Sequence, residues 1–462
     1  MKIALIPIDN RPVCYNLAKE TASIDNDLEL LLPDKNFMGG LRSTADINGI
    51  LKWLEQLPQV DAIVVSLDTI AYGGLISSRR SKKSVEEIQS ILEEFKQKCD
   101  GKCDRIYAFS SVMRISNNNI NEEEKEYWDK YGEQIFEYSQ RFHKEGTDVS
   151  EVPQEILHDY LATRQRNFAI NKMYLEWAQE GFFNTLIFSK DDCSEFGFNV
   201  LEADILKRKT VEQSLTSVFV KTGADEIPLA LIARAICDCR GKLGGAPKIF
   251  PKFLAPESKD LISNYEDISI EKSVQAQIEL AGAQVTEEKD ADLILLVNNF
   301  EEKQGEIVMG VKTKGFSGKL SLPEKPFVLA DVRFVNGADN KFIEKLFQKK
   351  LKLNNFYGYS GWNTSANTLG SLIYAGVVRF FAKDYNEEAF KKLQMVRFLD
   401  DWAYQANLRQ EMKKTAKRPN MIRLKILMLK YERKLKKILG IKPRIKYYFP
   451  WKRFFEVGIV IK

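Results

Sequence analysis

Histidine is the scarcest chemically active side chain in this chain of 462 residues. Only His143 and His158 are present, and both lie in polar stretches with helical spacing. A zinc site with three histidines is therefore excluded, and a Ser-His-Asp triad or a facial iron triad would have to recruit one of these two residues. We expect both to be solvated, so that any chemistry depends on carboxylates, arginines, asparagines and hydroxyls.

The cysteines and glycines do not form the motifs that bind common cofactors. The six cysteines include two close pairs, but neither pair has the spacing of a zinc ribbon or a redox centre. The pairs Gly39-Gly40 and Gly73-Gly74 lack the further glycines of a Walker loop or a dinucleotide fingerprint. We therefore expect no cofactor and no metal, which disfavours kinases, ATPases and dehydrogenases.

Long hydrophobic runs are also missing. Runs such as 28–33, which includes Glu29, and 293–297 are far shorter than the roughly 20 apolar residues of a membrane span. Residues 2–9 resemble a strand that ends in an acid, not a signal peptide. A cytoplasmic location is the resulting expectation.

The overall composition is that of a folded protein. Hydrophobic residues make up 44%, aromatic residues 11% and charged residues 29%, which excludes disorder, collagen and disulfide scaffolds. At roughly 100 to 200 residues per domain, the length predicts two or three domains or one large α/β unit.

Charge is distributed unevenly along the chain. Residues 412–462 hold 17 Lys or Arg against two Glu, a net charge of +15, which leaves the first 411 residues at −10. Within this tail, residues 421–439 predict a helix with an apolar stripe and a basic remainder, ending at Gly440. Docking of the stripe on the acidic body is the favoured interpretation. Contact with a membrane surface comes next, and nucleic acid is the least favoured partner.

Short aliphatic runs alternate with longer amphipathic stretches, which predicts repeated βα units on a parallel sheet. We expect a (β/α)8-barrel-like α/β fold with extra strands, and as the alternative two Rossmann-like lobes at 1–210 and 211–400. Helices are predicted at 84–98, 122–144, 153–179, 225–237, 270–281 and 368–382. The ten predicted strands are 3–8, 28–32, 62–67, 105–110, 185–189, 217–221, 248–254, 292–297, 326–330 and 356–359.

The predicted domain organisation has two parts. Residues 1–400 form the α/β catalytic or binding unit, with a helical insertion at 112–182. Residues 401–462 form a helical, basic extension that ends in a packed aromatic segment.

Polar side chains follow nearly every predicted strand. Ligands of parallel α/β folds bind at the carboxyl ends of strands, so this recurrence predicts a shared polar site. A single acid at such a position is often only a helix N-cap, and capping is the favoured interpretation of the Asp225-Glu226 pair. The candidate substrate-binding residues at strand ends are Asp9, Asn10, Arg11, Asp68, Arg114, Asp225, Glu226, Asp331, Asn336, Trp362, Asn363 and Asn367.

Asp191 and Asp192 are the candidate catalytic residues. Two adjacent carboxylates at the end of a buried strand repel each other, so one is expected to stay protonated near neutrality while the other is ionised. That difference serves acid-base catalysis. The alternative is one cap and one solvated acid. A bulge would have to bring both to one side, because successive strand residues point in opposite directions.

A second group of candidate binding residues lies on one predicted helix. Arg164, Asn167 and Asn171 are spaced at i, i+3 and i+7, which places them on one face. An exposed face is the usual explanation. Arg and Asn are better suited than Lys and Glu to binding polyols or carboxylates, so we include these three residues in the site.

Several short motifs lie along the chain: IPIDNRPV at 6–13, VSLD at 65–68, YGGL at 72–75, residues 164–171, Asp191-Asp192, GADE at 223–226, GWNT at 361–364, NTLG at 367–370 and DDW at 400–402. Together they resemble the bacterial family known as domain of unknown function 4127. The resemblance covers residues 1 to about 411 and 449–459, and the basic helix between them looks like an addition. The family name implies no activity.

A looser resemblance concerns residues 171–192, a helix followed by a strand that ends in two aspartates. This layout is similar to that of the O-GlcNAcase and hyaluronidase-like β-N-acetylglucosaminidases. The resemblance implies a (β/α)8 barrel that hydrolyses N-acetyl amino sugars with the substrate acetamido group as nucleophile. It implies that Asp191 orients the acetamide, that Asp192 is the general acid, and that Asp331 and Asn363 bind sugar hydroxyls.

The sequence therefore predicts a carbohydrate-active hydrolase, a glycosidase for an N-acetyl amino sugar. Two alternatives stay open. One is a two-lobed binding protein without catalysis, for a polyol or an anionic ligand. The other is a two-lobed sugar isomerase or racemase.

Overall fold

The computed structural model describes residues 1–191, 195–241, 245–349 and 351–462. The chain divides into two compact units, each continuous in space but not in sequence. Unit 1 comprises residues 1–10, 30–231 and 265–267, and unit 2 comprises residues 11–29, 232–264 and 268–462.

Unit 1 is built on a six-stranded sheet with the order β2-β1-β3-β4-β5-β6. The pairs from β1 through β6 are parallel. The strand order reverses between β1 and β3, as in a doubly wound fold. Its strands are β1 (Lys2–Ile6), β2 (Glu29–Leu31), β3 (Ala62–Ser66), β4 (Ile106–Val112), β5 (Thr185–Lys190) and β6 (Val218–Thr222).

Unit 2 contains a five-stranded sheet with the order β8-β7-β9-β11-β13, again parallel and again reversing next to its first strand. Two small two-stranded sheets, β10-β12 and β14-β15, accompany it. The strands are β7 (Lys248–Phe253), β8 (Gln284–Val285), β9 (Leu293–Asn298), β10 (Gly305–Glu306), β11 (Phe327–Asp331), β12 (Phe334–Val335), β13 (Phe356–Ser360), β14 (Ile445–Tyr448) and β15 (Gly458–Ile461).

Helices connect the strands, and most have an amphipathic sequence. In the helix that starts after Ser84, this serine and Glu87 form a capping box, while Ile88, Leu92 and Phe95 are buried at helical spacing. Residues 12–16 and 398–408 are π-helical. The α-helices are α1 (Leu17–Ala22), α2 (Ile47–Gln56), α3 (Leu67–Tyr72), α4 (Leu75–Arg80), α5 (Val85–Cys99), α6 (Trp128–Glu145), α7 (Gln154–Gln179), α8 (Phe198–Glu212), α9 (Ile227–Arg240), α10 (Ile270–Leu280), α11 (Asn340–Gln348), α12 (Ser365–Phe381), α13 (Glu387–Arg397), α14 (Arg409–Thr415) and α15 (Met421–Leu439).

The predicted α/β class with parallel sheets is confirmed, and all ten predicted strands are present. Closure into a barrel is not shown, because each sheet has two open edges in the part of the chain that is described. The predicted strands at 28–32 and 217–221 were the two in excess of the eight strands of a (β/α)8 barrel. They are the edge strands β2 and β6 of the first sheet. Two separate sheets correspond to the predicted alternative of two Rossmann-like lobes.

The predicted helix at 122–144 starts six residues late, at Trp128. Residues 121–124 are instead a loop whose backbone carbonyls accept hydrogen bonds from Arg79 and Arg80. Carbonyls bound by side chains in this way are not free to form helical hydrogen bonds, so a run of three glutamates that suits a helix start is held outside the helix.

The basic tail belongs to unit 2. Leu424, Met428 and Leu435 of α15 are buried, and the ring of Tyr431 lies 4.9 Å from the ring of Trp402. The helix ends at Gly440, which has the expected left-handed φ of 67°. The apolar stripe of α15 therefore packs on the rest of unit 2. Among the described residues, no helix is long and apolar enough to cross a membrane.

Candidate functional site

In a doubly wound sheet, ligands bind beyond the carboxyl ends of the strands where the strand order reverses. In unit 1 that position lies between β1 and β3. Asp9 follows β1 and is 6% exposed, and Asp68 follows β3 and is 1% exposed. Both were predicted as site residues, and the topology places them at the same edge of the sheet.

Asp68 is linked to the neighbouring strand β4. Its carboxylate accepts a hydrogen bond of 2.8 Å from the backbone N–H of Ser111. Burial raises the pKa of Asp68 to about 6, and the Ser111 hydrogen bond and the charge of Arg79 oppose this rise. A carboxyl group with this pKa can gain or lose a proton near neutrality.

The Gly73-Gly74 pair forms the tight turn that follows Asp68. Gly73 has a φ of 85°, and a Cβ atom there would lie 2.1 Å from Thr44 Cγ2. The hydroxyl of Thr69 donates to the carbonyl of Pro7 at 2.7 Å, which fixes the start of this segment to the end of β1. The two glycines therefore allow a close approach of the backbone, although they are not part of a nucleotide-binding fingerprint.

Asp191 comes directly after β5, and its side chain is 21% exposed. Its carboxylate lies 3.3 Å from the guanidinium of Arg114, which follows β4. Asp192 lies outside the described residues, so the predicted pairing of the two aspartates stays a prediction. Two predicted site residues, Asp191 and Arg114, are thus in direct contact.

Arg114 also bonds to two glutamates that the sequence interpretation had assigned to a helix. It lies 2.9 Å from Glu123 and 3.3 Å from Glu124. Arg79, which is 2% exposed, lies 3.4 Å from Glu124 and 3.6 Å from Glu123. Arg79, Arg114, Glu123, Glu124 and Asp191 therefore form one ionic network at this edge of the sheet. In the sequence, Glu123 and Glu124 stand out only as part of the acidic run Glu122-Glu123-Glu124, which does not indicate that they bind Arg79 and Arg114.

The polar stripe of α7 is buried, so the interpretation as an exposed face is wrong. Arg164, Asn167 and Asn171 are 2%, 5% and 3% exposed. Asn171 donates to the Ser111 carbonyl at 3.1 Å, and Arg164 donates to the Met113 carbonyl at 2.6 Å. Asn167 donates to the carbonyl of Ser78 at 3.1 Å. These side chains position the end of β4 and the last turn of α4, and their predicted contact with a ligand stays a prediction.

Asp225 and Glu226 follow β6 and precede α9. The carboxylate of Glu226, 1% exposed, accepts a hydrogen bond of 3.1 Å from the backbone N–H of Ala224. Burial raises the pKa of Glu226 to about 8, to which the charge of Asp225 adds. Gly223 has a φ of 125°, and a Cβ atom there would lie 1.8 Å from the Glu226 carboxylate. Ala224 precedes α9, so this hydrogen bond is not to a helical N–H, and the interpretation of the pair as a helix cap stays a prediction.

In unit 2, Asp331 is buried at the end of β11. Its carboxylate accepts hydrogen bonds from the Asn298 side chain at 2.8 Å, the Asp339 backbone at 2.8 Å and the Tyr359 hydroxyl at 3.3 Å. It is 0% exposed, and burial together with the charge of Asp339 raises its pKa to about 7. Asp331 thus joins the ends of three strands. Because its side chain is buried, no carboxylate oxygen is exposed for the predicted contact with a sugar.

Asn336 and Asn363 lie on two turns of unit 2 that are bonded to each other. Both have left-handed φ angles, 62° and 56°, and the backbone N–H of Asn336 donates to the carbonyl of Asn363 at 2.9 Å. Trp362 is 2% exposed. The side-chain oxygen of Asn367 is buried without a hydrogen-bond partner in the part of the chain described here. Arg11, in the same unit, lies over the ring of Trp451.

The structure therefore divides the predicted site residues between the two units. In unit 1 are Asp9, Asn10, Asp68, Arg114, Arg164, Asn167, Asn171, Asp191, Asp225 and Glu226. In unit 2 are Arg11, Asp331, Asn336, Trp362, Asn363 and Asn367. Within the ranges described, no group of three or more His, Cys, Asp or Glu side chains is placed to hold a metal ion.

These features define an α/β protein with two doubly wound parallel sheets and an ionic network at the carboxyl edge of the first. The chain matches the family described as protein of unknown function (DUF4127) over residues 3–460, and it belongs to that family. The predicted membership is confirmed, and the matched range also encloses the basic helix. No match was found among curated proteins or among solved structures.

Proposed function

We propose that this protein is a carbohydrate-active hydrolase, a glycosidase that acts on an N-acetyl amino sugar. One observation carries the proposal: Asp191 presents a partly exposed carboxylate at the end of a central parallel strand, 3.3 Å from Arg114. The carboxyl edge is where ligands of such sheets bind. The sequence resemblance to the O-GlcNAcase and hyaluronidase-like β-N-acetylglucosaminidases belongs to this proposal and supports it only through the order of motifs.

In this proposal Asp191 and Asp192 have different catalytic roles. Asp191, held by Arg114, orients the acetamido group of the substrate, whose oxygen attacks the anomeric carbon. Asp192 donates a proton to the leaving oxygen as general acid. Asp68, with a pKa of about 6, is a further carboxyl group at this edge that can exchange a proton near neutrality.

The experiment is a release assay with p-nitrophenyl glycosides, including the N-acetylglucosaminide and the N-acetylgalactosaminide. Asp191→Asn and Asp192→Asn are compared with the wild type, and Asp204→Asn, at an exposed position of α8, is the matched control. Loss of the general acid should lower turnover by roughly 10²- to 10⁴-fold on N-acetyl glycosides with an alkyl leaving group, which must be protonated to depart, while the control keeps wild-type turnover. Turnover on an N-acetyl sugar that both aspartate variants retain would contradict the assignment.

A binding protein without catalysis is the second candidate. Both sheets have the same doubly wound order and are separate, which is the organisation expected of two-lobed binding proteins and of the sugar isomerases and racemases considered above. If no glycoside is hydrolysed, a panel of polyols and anionic sugars should raise the melting temperature of the wild type. Isomerisation or racemisation of a stabilising sugar would then distinguish an enzyme from a binding protein.

A further inference from the structure

A pocket of about 480 Å³ opens in unit 1 next to the point where the strand order reverses. Leu41, Arg42 and Thr44, which follow β2, form one side of it. Residues 72–83, which follow β3, form the other. Strands β2 and β3 flank β1 in the sheet, so the pocket lies where a doubly wound fold offers a ligand site.

The lining of this pocket is strongly basic. Arg42, Arg80, Lys82 and Lys83 face a single acid, Glu87, although the first 411 residues of the chain have a net charge of −10. Within the described ranges, Arg42, Lys82 and Lys83 make no ion pair. Four cations against the one acid of the lining leave an excess of positive charge in this pocket.

Arg80 is held in place by neutral groups. Its guanidinium donates to the carbonyls of Leu41 at 2.9 Å, Asn121 at 3.2 Å, Glu122 at 2.6 Å and Glu124 at 2.9 Å. Carbonyls position the guanidinium but do not cancel its charge. Burial lowers the pKa of Arg80, as do the nearby charges of Arg42 and Arg79, whereas the charges of Glu124 and Glu123 oppose this lowering. The cations of the pocket therefore repel one another, and the two glutamates offset only part of this repulsion.

The turn that carries the lysines is also fixed. Arg166 donates to the carbonyls of Ser78 at 2.8 Å and Lys83 at 3.3 Å, and burial lowers the pKa of Lys83. The hydroxyls of Ser77, Ser81 and Thr44 lie among the cations. Hydroxyl and cationic donors that converge from two segments match the several oxygens of a phosphoryl group better than a single carboxylate.

We propose that this pocket binds the phosphoryl group of a small phosphate ester. The volume exceeds that of phosphate alone, so the pocket has room for part of the group to which the phosphate is attached. A bound dianion offsets the repulsion among Arg42, Arg80, Lys82 and Lys83. This inference is independent of the proposed glycosidase activity, because it rests on different residues.

The test is isothermal titration of the full chain with inorganic phosphate, a hexose 6-phosphate and the parent hexose, at constant ionic strength set with chloride. We expect saturable binding of both phosphates and none of the parent hexose. The double variant Arg42→Gln/Lys83→Gln should weaken binding at least tenfold, and Lys52→Gln, an exposed lysine of α2, should leave binding unchanged.

Two results would overturn the inference. One is the absence of saturable heat with either phosphate up to about 10 mM, which corresponds to affinities too weak for a specific site. The other is a double variant that binds phosphate as the wild type does. If that variant does not fold, phosphate binding by the single variant Arg42→Gln tests the inference. This substitution should not disturb folding, because the Arg42 side chain is exposed and makes no ion pair among the described residues. Inorganic phosphate that binds as tightly as the ester would show that the pocket recognises the free ion.

A different observation, on α15 of unit 2, carries a second inference. Ile422, Ile426 and Leu429 are 73%, 63% and 45% exposed, and they lie on the side of the helix opposite its buried stripe. Lys425, Lys430, Arg433 and Lys437 are exposed around and beyond this row. Apolar side chains within a basic surface are typical of helices that lie on anionic membranes.

We infer that this outer row enters the headgroup region of an anionic membrane while the buried stripe keeps α15 packed on unit 2. The charge complementarity between the tail, with a net charge of +15, and anionic lipids selects a membrane over a neutral partner. A helix docked in this way lies on the membrane and does not cross it.

Sedimentation with vesicles tests this inference. The full chain should bind vesicles of phosphatidylglycerol and phosphatidylcholine and bind less to pure phosphatidylcholine. Replacement of Ile422, Ile426 and Leu429 by Gln should lower partitioning at least about tenfold. Val211→Gln, a helical position of unit 1 that is 73% exposed, is the matched control and should bind as the wild type does. Vesicle binding that the triple variant retains, or no binding to anionic vesicles, would overturn the inference.

Discussion

The backbone N–H of Ser111 donates to the carboxylate of Asp68 across 2.8 Å, joining the end of β4 to the start of α3. Asp68 is 1% exposed, and burial raises its pKa from 3.8 to about 6. The buried carboxylate is therefore more costly in the folded state than in the unfolded state. A group whose folded pKa is raised in this way stabilises the fold at low pH and loses that contribution as the pH rises.

This relationship predicts a pH dependence of stability. In the wild type, Asp68 should lower the free energy of unfolding by about 3 kcal/mol as the pH rises from about 4 to about 6. Asp68→Asn keeps an acceptor for the Ser111 N–H but cannot ionise, so the loss of stability caused by Asp68 should be absent in this variant. Chemical denaturation at several pH values measures the free energy of unfolding of both proteins. An unchanged pH profile in the variant would contradict the raised pKa.

Arg114 should be a stabilising residue as well as a site residue. It lies within 3.3 Å of Asp191, Glu123 and Glu124, of which Glu124 has a side chain only 5% exposed. Arg114→Met should destabilise unit 1 by about 3 kcal/mol, because a largely buried carboxylate loses a partner. A double-mutant cycle with Glu124→Gln should recover part of the cost. Equal destabilisation with and without Glu124→Gln would exclude this coupling.

Gly73 should tolerate no side chain. Gly73→Ala adds a Cβ atom 2.1 Å from Thr44 Cγ2 at a φ of 85°, so it should cost about 1–3 kcal/mol of stability. Gly101→Ala is the control for backbone strain alone, since Gly101 has a φ of 69° with nothing within 4 Å of the added atom. Thr44→Ser removes the contacting methyl group and should rescue part of the loss. Thermal unfolding of Gly73→Ala, Gly101→Ala, Thr44→Ser and the double variant Gly73→Ala/Thr44→Ser separates backbone strain from the steric contact.

Arg397 should contribute more to the stability of unit 2 as the pH rises. It lies 2.7 Å from Asp401 and 3.0 Å from Asp400, and all three side chains are largely buried in unit 2. Arg397→Met leaves two adjacent buried carboxyl groups without their cation, at a cost of about 3–5 kcal/mol when they are ionised. The destabilisation should therefore be larger at pH 8 than at pH 5, as compared by urea denaturation. If Arg397→Met lowered the free energy of unfolding equally at both pH values, the proposed ion pairing of Arg397 with Asp400 and Asp401 would be contradicted.

Sequence patterns predicted the strands well because local signals suffice there. The run Ala62–Ser66 is entirely buried and rich in β-branched residues, and it was predicted as a strand. Five strands of the described ranges were missed. Strands β8, β10 and β12 have two residues each, which carry no periodic signal, and β14 and β15 lie in the tail that was predicted as helical with a packed aromatic end. Helix α6 was predicted six residues too early, because the arginines that hold residues 121–124 come from a distant part of the chain.

The candidate site was predicted only in part, for a similar reason. Asp68, Arg114 and Asp191 were expected at the carboxyl edge, because position after a strand is visible in sequence. Glu123 and Glu124 complete the network but follow no strand. The α7 stripe was correctly assigned to one face, yet its burial depends on β4 packing against that face, as the bond from Asn171 to Ser111 shows.

The amino-acid sequence by itself determined the α/β class, the ten main strands, the acidic body with its basic tail, and family membership. These properties follow from composition, periodicity and local motifs. Only the tertiary structure decided that the strands form two open sheets in place of one barrel, because strand order depends on pairing between distant segments. It also decided which carboxylates are buried and therefore hold protons near neutrality, because the dielectric surroundings of Asp68 and Glu226 are created by residues far away in the chain.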